Sequence, residues 1–505
     1  MKLAKIIFPS LLILNVSCNK LVEPKVYSSL TDQNAFQTKD DAVAAVNAVY
    51  ARLKQPSGVS DSYQYYAGYQ MTITDFTTDI GHSSQKGDIS LLSDAKWSST
   101  NKYITFGWQH MYKLISDANN ALYYIPQIGK ITDAERTQYT SEVRFLRALS
   151  YMDLTDAWGP VVLMTEKEVA TPSYESKPAV TPVEEIDQFL ITELTEAAAN
   201  LPVNYEGKEI YPTNDVGRAT KGAALTLLCK LHMRRHEWQK AADIAKQVMD
   251  LNQYSLFPTY AGLFAEDNKW CSESIFSSLA NALNDATELM NHFGPMMNPI
   301  VTDRWQYYAV SWSFWNSYAK NDDRREMFFY DYTGSDGLHY VQPIPGQPTP
   351  PAGTYYLPDV ATKKYADPAG SKTYYDGHGI PILRYADVLL CRAEALNELN
   401  GSNAESIDLI NQVKNRSHAT PLANAGSYSK ETLRDAILQE RGWEFFFECK
   451  RRADLIRMDK YQQVTNAYLQ SIGKDPAINI TKNKYFTYPQ TQVDLNPNLS
   501  NADRQ

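Results

Sequence analysis

Three glutamates near the carboxyl end of the chain have the types and spacing that acid–base catalysis would need. Glu440, Glu444 and Glu448 recur every four residues, which would place three carboxylates on one face of a helix. Paired carboxylates are what glycoside hydrolysis requires, but there they must flank a substrate. Here arginines alternate with the glutamates from Arg441 onward. We therefore predict an ion network that holds the fold together, and a surface glycosidase is the less favoured alternative.

Two histidines have the spacing of a zinc-binding pair. His232 and His236 are four residues apart in a helical stretch. In zinc proteases with this spacing, a glutamate directly follows the first histidine and acts as general base, whereas Met233 occupies that position here. The sequence also contains no phosphate-binding loop, nucleophile elbow or EF-hand motif. We predict neither a metal nor a cofactor, and no enzymatic activity.

Aromatic side chains offer a different chemistry, which is sugar binding. The chain has 34 tyrosines and 9 tryptophans. A pyranose stacks its apolar C–H face on an exposed ring, and its hydroxyls need polar groups within hydrogen-bonding distance. We expect Trp312 and Trp315 to pack inside a helix, and we predict glycan contacts elsewhere. The predicted contacts are Asp303, Arg304, Trp305, Tyr307 and Tyr308 in one stretch, and Tyr66, Asp75 and Trp97 in another.

Charge and cysteine content restrict the class of partner and of fold. The formal net charge of −9 argues against nucleic acid, because phosphate binding needs a basic surface. The five cysteines include no CxxC pair, so neither a zinc site nor a disulfide framework follows. Cys229 and Cys391 lie in apolar helical runs, and we predict that both belong to the core.

The amino terminus has the pattern of an export signal. An apolar run from Ile6 to Leu14 follows a lysine-containing start, and Cys18 comes shortly after it. The run is too short to cross a bilayer, which needs about 20 apolar residues. We predict a lipoprotein signal peptide over residues 1–17, lipidation of Cys18 and a tether over 18–40.

Helical periodicity dominates the elements that must position these side chains. Two helix pairs resemble tetratricopeptide units, which stack because neither pair can bury its apolar face alone. Residues 55–105 and 331–381 are rich in glycine, proline and aromatics and cannot be regular helix, so we expect them to carry the ligand site. The predicted helices cover 41–53, 106–125, 142–158 and 182–202, and the predicted pairs are 220–235 with 241–251 and 385–399 with 405–416.

Several motifs, taken together, resemble the signature of the SusD/RagB family and follow its order over nearly the whole chain. They are RFLRALSY at 144–151, RYADVLL at 384–390, INQVKNR at 410–416 and ERGWEF at 440–445. The resemblance implies a mainly α fold, in which tetratricopeptide-like helix pairs pack against a loop-rich irregular lobe. The domain would span 41–505, with a scaffold mainly over 41–54, 106–251 and 382–460 and a ligand-binding lobe mainly over 55–105 and 252–381.

The resemblance also implies a function. Members of this family are non-enzymatic lipoproteins at the outer membrane that hand a nutrient ligand to a SusC-like TonB-dependent transporter, and the resemblance implies an oligosaccharide as the ligand here. We therefore expect a lipid-anchored protein that faces the cell exterior. Binding of a peptide or another nutrient, and a tetratricopeptide interaction scaffold, are the alternatives.

Overall fold

Helices make up most of the protein. The computed structural model describes residues 36–54, 65–83, 85–171, 177–206, 210–211, 216–279, 289–297, 306–365, 377–502 and 504. The first helices are α1 (Lys39–Ala51), α2 (Met71–Asp75), α3 (Asp88–Ser93), α4 (Lys102–Tyr124), α5 (Asp133–Trp158), α6 (Glu166–Ala170), α7 (Val183–Asn200), α8 (Lys221–Arg234) and α9 (Trp238–Asp250). The others are α10 (Tyr260–Leu263), α11 (Leu289–Phe293), α12 (Trp312–Ser317), α13 (Tyr385–Asn400), α14 (Ala404–Arg416), α15 (Lys430–Phe445), α16 (Arg451–Arg457), α17 (Tyr461–Ser471), α18 (Ile480–Asn483) and α19 (Gln490–Leu495).

Capping side chains decide where the long helices begin and end. α5 starts nine residues before the predicted start at 142, because the Thr132 hydroxyl accepts from the Glu135 amide in a capping box. Gly159, which has a φ of 68°, then ends this helix. α4 begins at Lys102 because the Asn101 side chain accepts from the Tyr103 amide.

The long helices pack one on the next along the chain. α4 contacts α5, α5 contacts α7, α7 contacts α8, and α8 contacts α9. α9 in turn contacts α13, and α13 contacts α14. The two predicted helix pairs are therefore present as α8 with α9 and α13 with α14, and they stack directly on each other. The prediction of a mainly α fold with tetratricopeptide-like pairs is confirmed.

Short strands build a second part of the protein, and all of them except β1 lie in the chain between α9 and α13. The four-stranded sheet has the order β1-β3-β8-β4, a second sheet pairs β2 with β9, and a third has the order β5-β6-β7. The strands are β1 (Gly81–His82), β2 (Ser274–Ser278), β3 (Ala309–Val310), β4 (Phe328–Phe329), β5 (Tyr332–Thr333), β6 (His339–Val341), β7 (Thr354–Tyr356), β8 (Val360–Thr362) and β9 (Ile380–Arg384).

The prediction that residues 55–105 contain no regular helix is wrong for part of that stretch. A π-helical turn over Tyr65–Gln70 continues into α2, and α3 follows it. These turns form because their aromatic residues pack into the interior: the Tyr69 ring lies 5.4 Å from Phe106 and 5.9 Å from Tyr103 on α4. Tertiary packing therefore overrides a local composition that favours loops.

One large hydrophobic core joins the stacked helices to the strand-rich part. It contains Val46 of α1, Leu146 of α5, Phe293 of α11 and Val360 of β8. Cys229 and Cys391 are 2% and 3% exposed, which confirms their predicted place in the core. Within the described ranges, no helix has both the length and the hydropathy needed to span a bilayer.

Candidate functional site

The glutamates with catalytic spacing lie in a buried ion network. Glu444 accepts from Arg324 Nη1 at 2.9 Å and from Arg384 Nη1 at 2.6 Å, and Arg416 also contacts it. These guanidiniums hold the pKa of the Glu444 carboxyl well below its usual range, although burial opposes them. Glu440 binds Arg324 at 2.7 Å. The predicted ion network is confirmed, and its carboxylates are paired with arginine side chains.

Helix geometry corrects two details of the sequence analysis. α15 ends at Phe445, so Glu448 lies beyond the helix and reaches Lys364 Nζ at 2.7 Å from the following turn. His232 and His236 do not share a helix either, because α8 ends at Arg234. His232 Nδ1 lies 2.6 Å from Glu237, and His236 Nε2 lies 3.0 Å from the carbonyl oxygen of Arg457.

An open cleft of about 610 Å³ lies at one edge of the four-stranded sheet. Strand pairing assembles it, because Gly81 and Val360 both pair with Val310 of β3. Trp312 follows β3 and Asp359 precedes β8, so they meet at the same edge of the sheet. The cleft is lined by His82, Ser83, Gln85, Lys86, Ser90, Asp94, Ser311, Trp312, Ser313, Pro358, Asp359, Ser471, Ile472 and Lys474.

Gly81 is required where β1 enters this sheet. A Cβ at this position would lie 2.9 Å from the Phe76 ring and 3.0 Å from the carbonyl oxygen of Asp75. Only glycine lets the strand approach the end of α2 this closely. The close approach places the next residue, His82, at the cleft.

Trp312 forms an aromatic wall of the cleft. Its ring is half-buried, and its indole Nε1 donates to the carbonyl oxygen of Leu357 at 2.8 Å. The Trp315 ring packs edge-to-face against it, with the ring centroids 5.5 Å apart. Ser311 caps α12 by accepting from the Phe314 amide at 3.1 Å, which fixes the start of the helix that carries Trp312. The ring is therefore held in one orientation, with part of its surface open to the cleft.

The polar side of the cleft is formed by Asp359 and His82. Asp359 is 2% exposed, and its Oδ1 contacts His82 Nδ1. Its other oxygen, Oδ2, has no hydrogen-bond partner within the described residues and is inaccessible to solvent, so Asp359 holds His82 and does not itself reach into the cleft. At the rim, Lys474 pairs with Asp94 at 2.9 Å, and Lys86 is exposed. A cleft with an anchored, partly exposed aromatic ring and polar side chains along its walls can bind a ligand that has hydroxyl groups and an apolar face.

Comparison with known proteins identifies the family. A sequence model described as the SusD family matches residues 295–503. A second model, described as starch-binding associating with outer membrane, matches residues 29–233. The two matches do not overlap, and together they cover most of the chain. The chain belongs to the SusD family.

Relatives and solved structures agree with this membership. The SusD-like protein P25 of Formosa agariphila is 25% identical, with 90% of each chain covered. The starch-binding protein SusD of Bacteroides thetaiotaomicron is 24% identical, with 83% of this chain and 81% of that protein covered. A crystal structure of a SusD homolog from Bacteroides thetaiotaomicron superposes with a TM-score of 0.78 at 21% identity, covering 93% of this chain and 97% of that one.

A further solved structure contains a sugar. Surface glycan-binding protein A from Bacteroides thetaiotaomicron, in complex with laminarihexaose, superposes with a TM-score of 0.74 at 21% identity. The alignment covers 93% of this chain and all of that one. At this identity the likeness shows that the SusD fold is shared.

None of the predicted glycan contacts that the structure describes lines this cleft. Tyr308 is fully buried against Phe76, with ring centroids 5.2 Å apart. Tyr66 and Asp75 are also buried, and none of the three lines the cleft. The prediction that these three side chains contact a glycan at the surface is therefore not supported, because their side chains make interior contacts.

Two other predicted contacts are partly exposed, and three are outside the described residues. Trp97 is half-buried and packs edge-to-face on Phe486 with ring centroids 5.2 Å apart, and Tyr307 is half-buried beside His292. Neither lines the cleft. Asp303, Arg304 and Trp305 lie outside the described residues, as does Cys18, so their roles stay predictions.

Sequence reasoning assigned Trp312 to packing and did not consider His82 or Asp359. Trp312 is the first residue of a six-residue helix, where its ring can face outward, whereas Trp315 is 5% exposed and packs as predicted. A serine N-cap directly before a tryptophan was the available signal for this position. No sequence signal pairs His82 with Asp359, because 277 positions separate them.

Proposed function

We propose that this SusD-family protein binds an oligosaccharide in the cleft and does not cleave it. The observation that carries the proposal is the partly exposed, anchored Trp312 ring in a cleft that is otherwise lined mostly by hydrogen-bonding side chains. One sugar unit stacks on the ring, and its hydroxyls bond to accessible polar side chains of the cleft such as His82 and Ser313, while buried Asp359 holds the His82 ring in place. Because the cleft is open, a longer glycan can extend past it on either side.

Relatives support a glycan as the ligand class. One curated relative is named a starch-binding protein, and one solved structure of the same fold holds laminarihexaose. The two lining carboxylates give no support to hydrolysis, because Asp94 is paired with Lys474 and Asp359 contacts His82. Glycoside cleavage needs one protonated and one ionised carboxyl group on either side of the bond.

We also propose that the protein is anchored by lipid on Cys18 at the outer membrane, faces the exterior and delivers its ligand to a SusC-like TonB-dependent transporter. The family description, which associates its members with the outer membrane, supports the location. Copurification of the native protein from detergent-solubilised outer membranes tests the partnership. Absence of any TonB-dependent transporter from the purified material would contradict it.

Calorimetric titration of laminarihexaose and of a starch oligosaccharide tests the binding site. We expect Trp312→Ala to weaken the binding of whichever glycan binds by about tenfold to hundredfold, or about 1–3 kcal/mol, by analogy with bases that stack on aromatic rings. Trp270→Ala is the matched control, because Trp270 is 44% exposed and does not line the cleft. Trp305→Ala tests the remaining sequence prediction in the same assay.

The outcomes separate the alternatives. An equal loss of glycan affinity in the Trp312→Ala and Trp270→Ala proteins would show that the cleft is not the binding site. Loss only in the Trp305→Ala protein would place the site in the stretch that the sequence predicted. Binding of a peptide pool with no binding of either glycan would favour the peptide alternative. Release of reducing ends by the purified protein would contradict a purely binding role.

A further inference from the structure

A second cavity of about 450 Å³, called the interior cavity below, lies between helices of the scaffold and shares no lining residue with the cleft. It is open to solvent on one side, because the exposed residues Glu184, His236 and Asp459 also line it. Its walls come from α5, α7, α8 and α16, with the end of β9 and the turn after α15. Lys484 and Tyr485 also contribute. The volume falls within the range of small-molecule sites, which is about 300–1,000 Å³.

Most charged groups around the interior cavity are already paired. Arg234 Nη1 lies 2.8 Å from Asp156, and Arg441 Nε lies 2.7 Å from Asp454. Asp454 also pairs with Arg457 at 3.0 Å. Seven acidic and seven basic side chains line the interior cavity. The balance of charge disfavours a ligand with a net charge, because such a ligand would have to break one of these pairs or stay uncompensated.

Two lining groups keep unused hydrogen-bonding capacity. Asp153 Oδ2 accepts from the Tyr65 hydroxyl at 2.9 Å and from the Tyr66 hydroxyl, but within the described residues nothing donates to its Oδ1. Lys230 Nζ donates to Asp387 Oδ2 at 3.0 Å and has two further N–H groups. Both side chains are half-buried, and both line the interior cavity. The interior cavity therefore presents one acceptor and one donor.

The remaining wall is apolar. It is formed by aliphatic and thioether side chains from α5, α8 and β9, namely Leu149, Met152, Leu227, Met233, Ile382 and Leu383. The Tyr66 side chain closes the site beside Asp153. A ligand ring with a C–H face and neighbouring hydroxyls is complementary to such a site. Its C–H face can pack on the apolar wall, and its hydroxyls can donate to the Asp153 carboxylate and accept from the Lys230 ammonium group.

We propose that the interior cavity is a second binding site, which takes a small neutral polyol of monosaccharide size. One hydroxyl of the polyol donates to Asp153 Oδ1, and a neighbouring hydroxyl accepts from Lys230 Nζ. The apolar face of the polyol packs on Met152 and Leu227. This site is separate from the oligosaccharide cleft and does not depend on it.

Ligand-observed NMR with D-glucose as the probe tests this site. We expect the wild-type protein to bind D-glucose with a dissociation constant below about 50 mM, and Trp312→Ala to leave that binding unchanged. Ala453→Leu adds three carbons to a lining residue of the interior cavity, so we expect it to abolish the signal without lowering the melting temperature. Asp153→Asn keeps the size and the tyrosine contacts and is expected to weaken binding by about tenfold.

Each other outcome overturns the proposal. Loss of the glucose signal in Trp312→Ala with retention in Ala453→Leu would assign the sugar to the cleft. Binding of glycine but not of D-glucose would show a zwitterion site. Absence of any signal from the wild-type protein would mean that water alone fills the interior cavity. If Ala453→Leu does not fold, the Asp153→Asn protein decides, because wild-type affinity in that variant contradicts the proposed contact.

Discussion

Replacing Glu444 with glutamine tests whether the glutamates near the carboxyl end hold the fold together. Its carboxylate contacts the guanidiniums of Arg324, Arg384 and Arg416, and all four side chains are nearly inaccessible to solvent. The substitution keeps the size of the side chain and one carbonyl acceptor, and removes the negative charge. The three buried guanidiniums then have one carboxylate fewer to neutralise their positive charge.

The expected cost is large in comparison with the total stability. Removing one partner of a buried ion pair costs about 3–5 kcal/mol, because it leaves a buried charge uncompensated. A native protein is stable by only about 5–15 kcal/mol, so the loss should be plain in urea denaturation followed by tryptophan fluorescence. The matched control on the same helix is Asp435→Asn, which breaks an exposed pair with Lys460 at 2.8 Å and should cost less than about 1 kcal/mol.

Two results would refute this reasoning. Equal stability of the Glu444→Gln and Asp435→Asn proteins would show that the buried network contributes no more than a surface pair. Wild-type stability of Glu444→Gln together with the loss of a glycan-cleaving activity would show that the glutamate is catalytic. We expect neither result, because the Glu444 carboxylate is buried and paired with three arginines.

Three further predictions concern other parts of the chain. Burial raises the pKa of the Asp75 carboxyl to about 7 from 3.8, so the folded state holds this proton more tightly and the resulting stabilisation is lost as the pH rises from about 4 to 7. Asparagine has no such proton to lose, so the free energy of unfolding of Asp75→Asn minus that of wild type should rise by up to about 3 kcal/mol from about pH 5 to about pH 8 in urea denaturation. A difference that does not change with pH would contradict this. Trp108 is 4% exposed and packs edge-to-face on Trp158, so Trp108→Ala should cost about 3–5 kcal/mol of stability in thermal melts and leave glycan affinity unchanged. Cys18→Ala should abolish labelling by a fatty-acid analogue and release the protein from membranes, whereas unchanged membrane partition would exclude lipid anchoring there.

The sequence predicted the long helices well because their apolar residues repeat at helical spacing. Its errors lie where the pattern is interrupted by polar residues that are buried. The first turns of α5 were missed because Gln138 and Ser141, which precede the predicted start at 142, are buried polar residues. Gln138 donates to the Tyr205 hydroxyl and to Glu142. A periodicity argument counts such residues as exposed. Buried hydrogen bonds of this kind depend on side chains from distant parts of the chain.

Two of the residues predicted as ligand contacts show a different limit of the sequence. Aromatic density near polar residues selected Tyr66 and Tyr308, but both rings pack inside the protein. The composition of a stretch does not tell which side of a turn its rings face. Trp312 differs from these residues in being the first residue of a short helix at a sheet edge, and this position depends on strand pairing between Val310 and Val360.

Three of the four family motifs quoted above supply charged side chains to the junction between the stacked helices and the strand-rich part. Arg384 is the last residue of β9 and directly precedes α13, and its guanidinium binds Glu273 and Glu444 at 2.6 Å each. Arg324 reaches Glu440 from the strand-rich part at 2.7 Å. A buried network of this kind fixes how the two parts meet, since each charge needs its partner in place. The motifs therefore identify the architecture and carry no information about the ligand. The ligand contacts proposed here lie on the short strand β1 and the short helix α12, and no residue of the ion network lines that cleft.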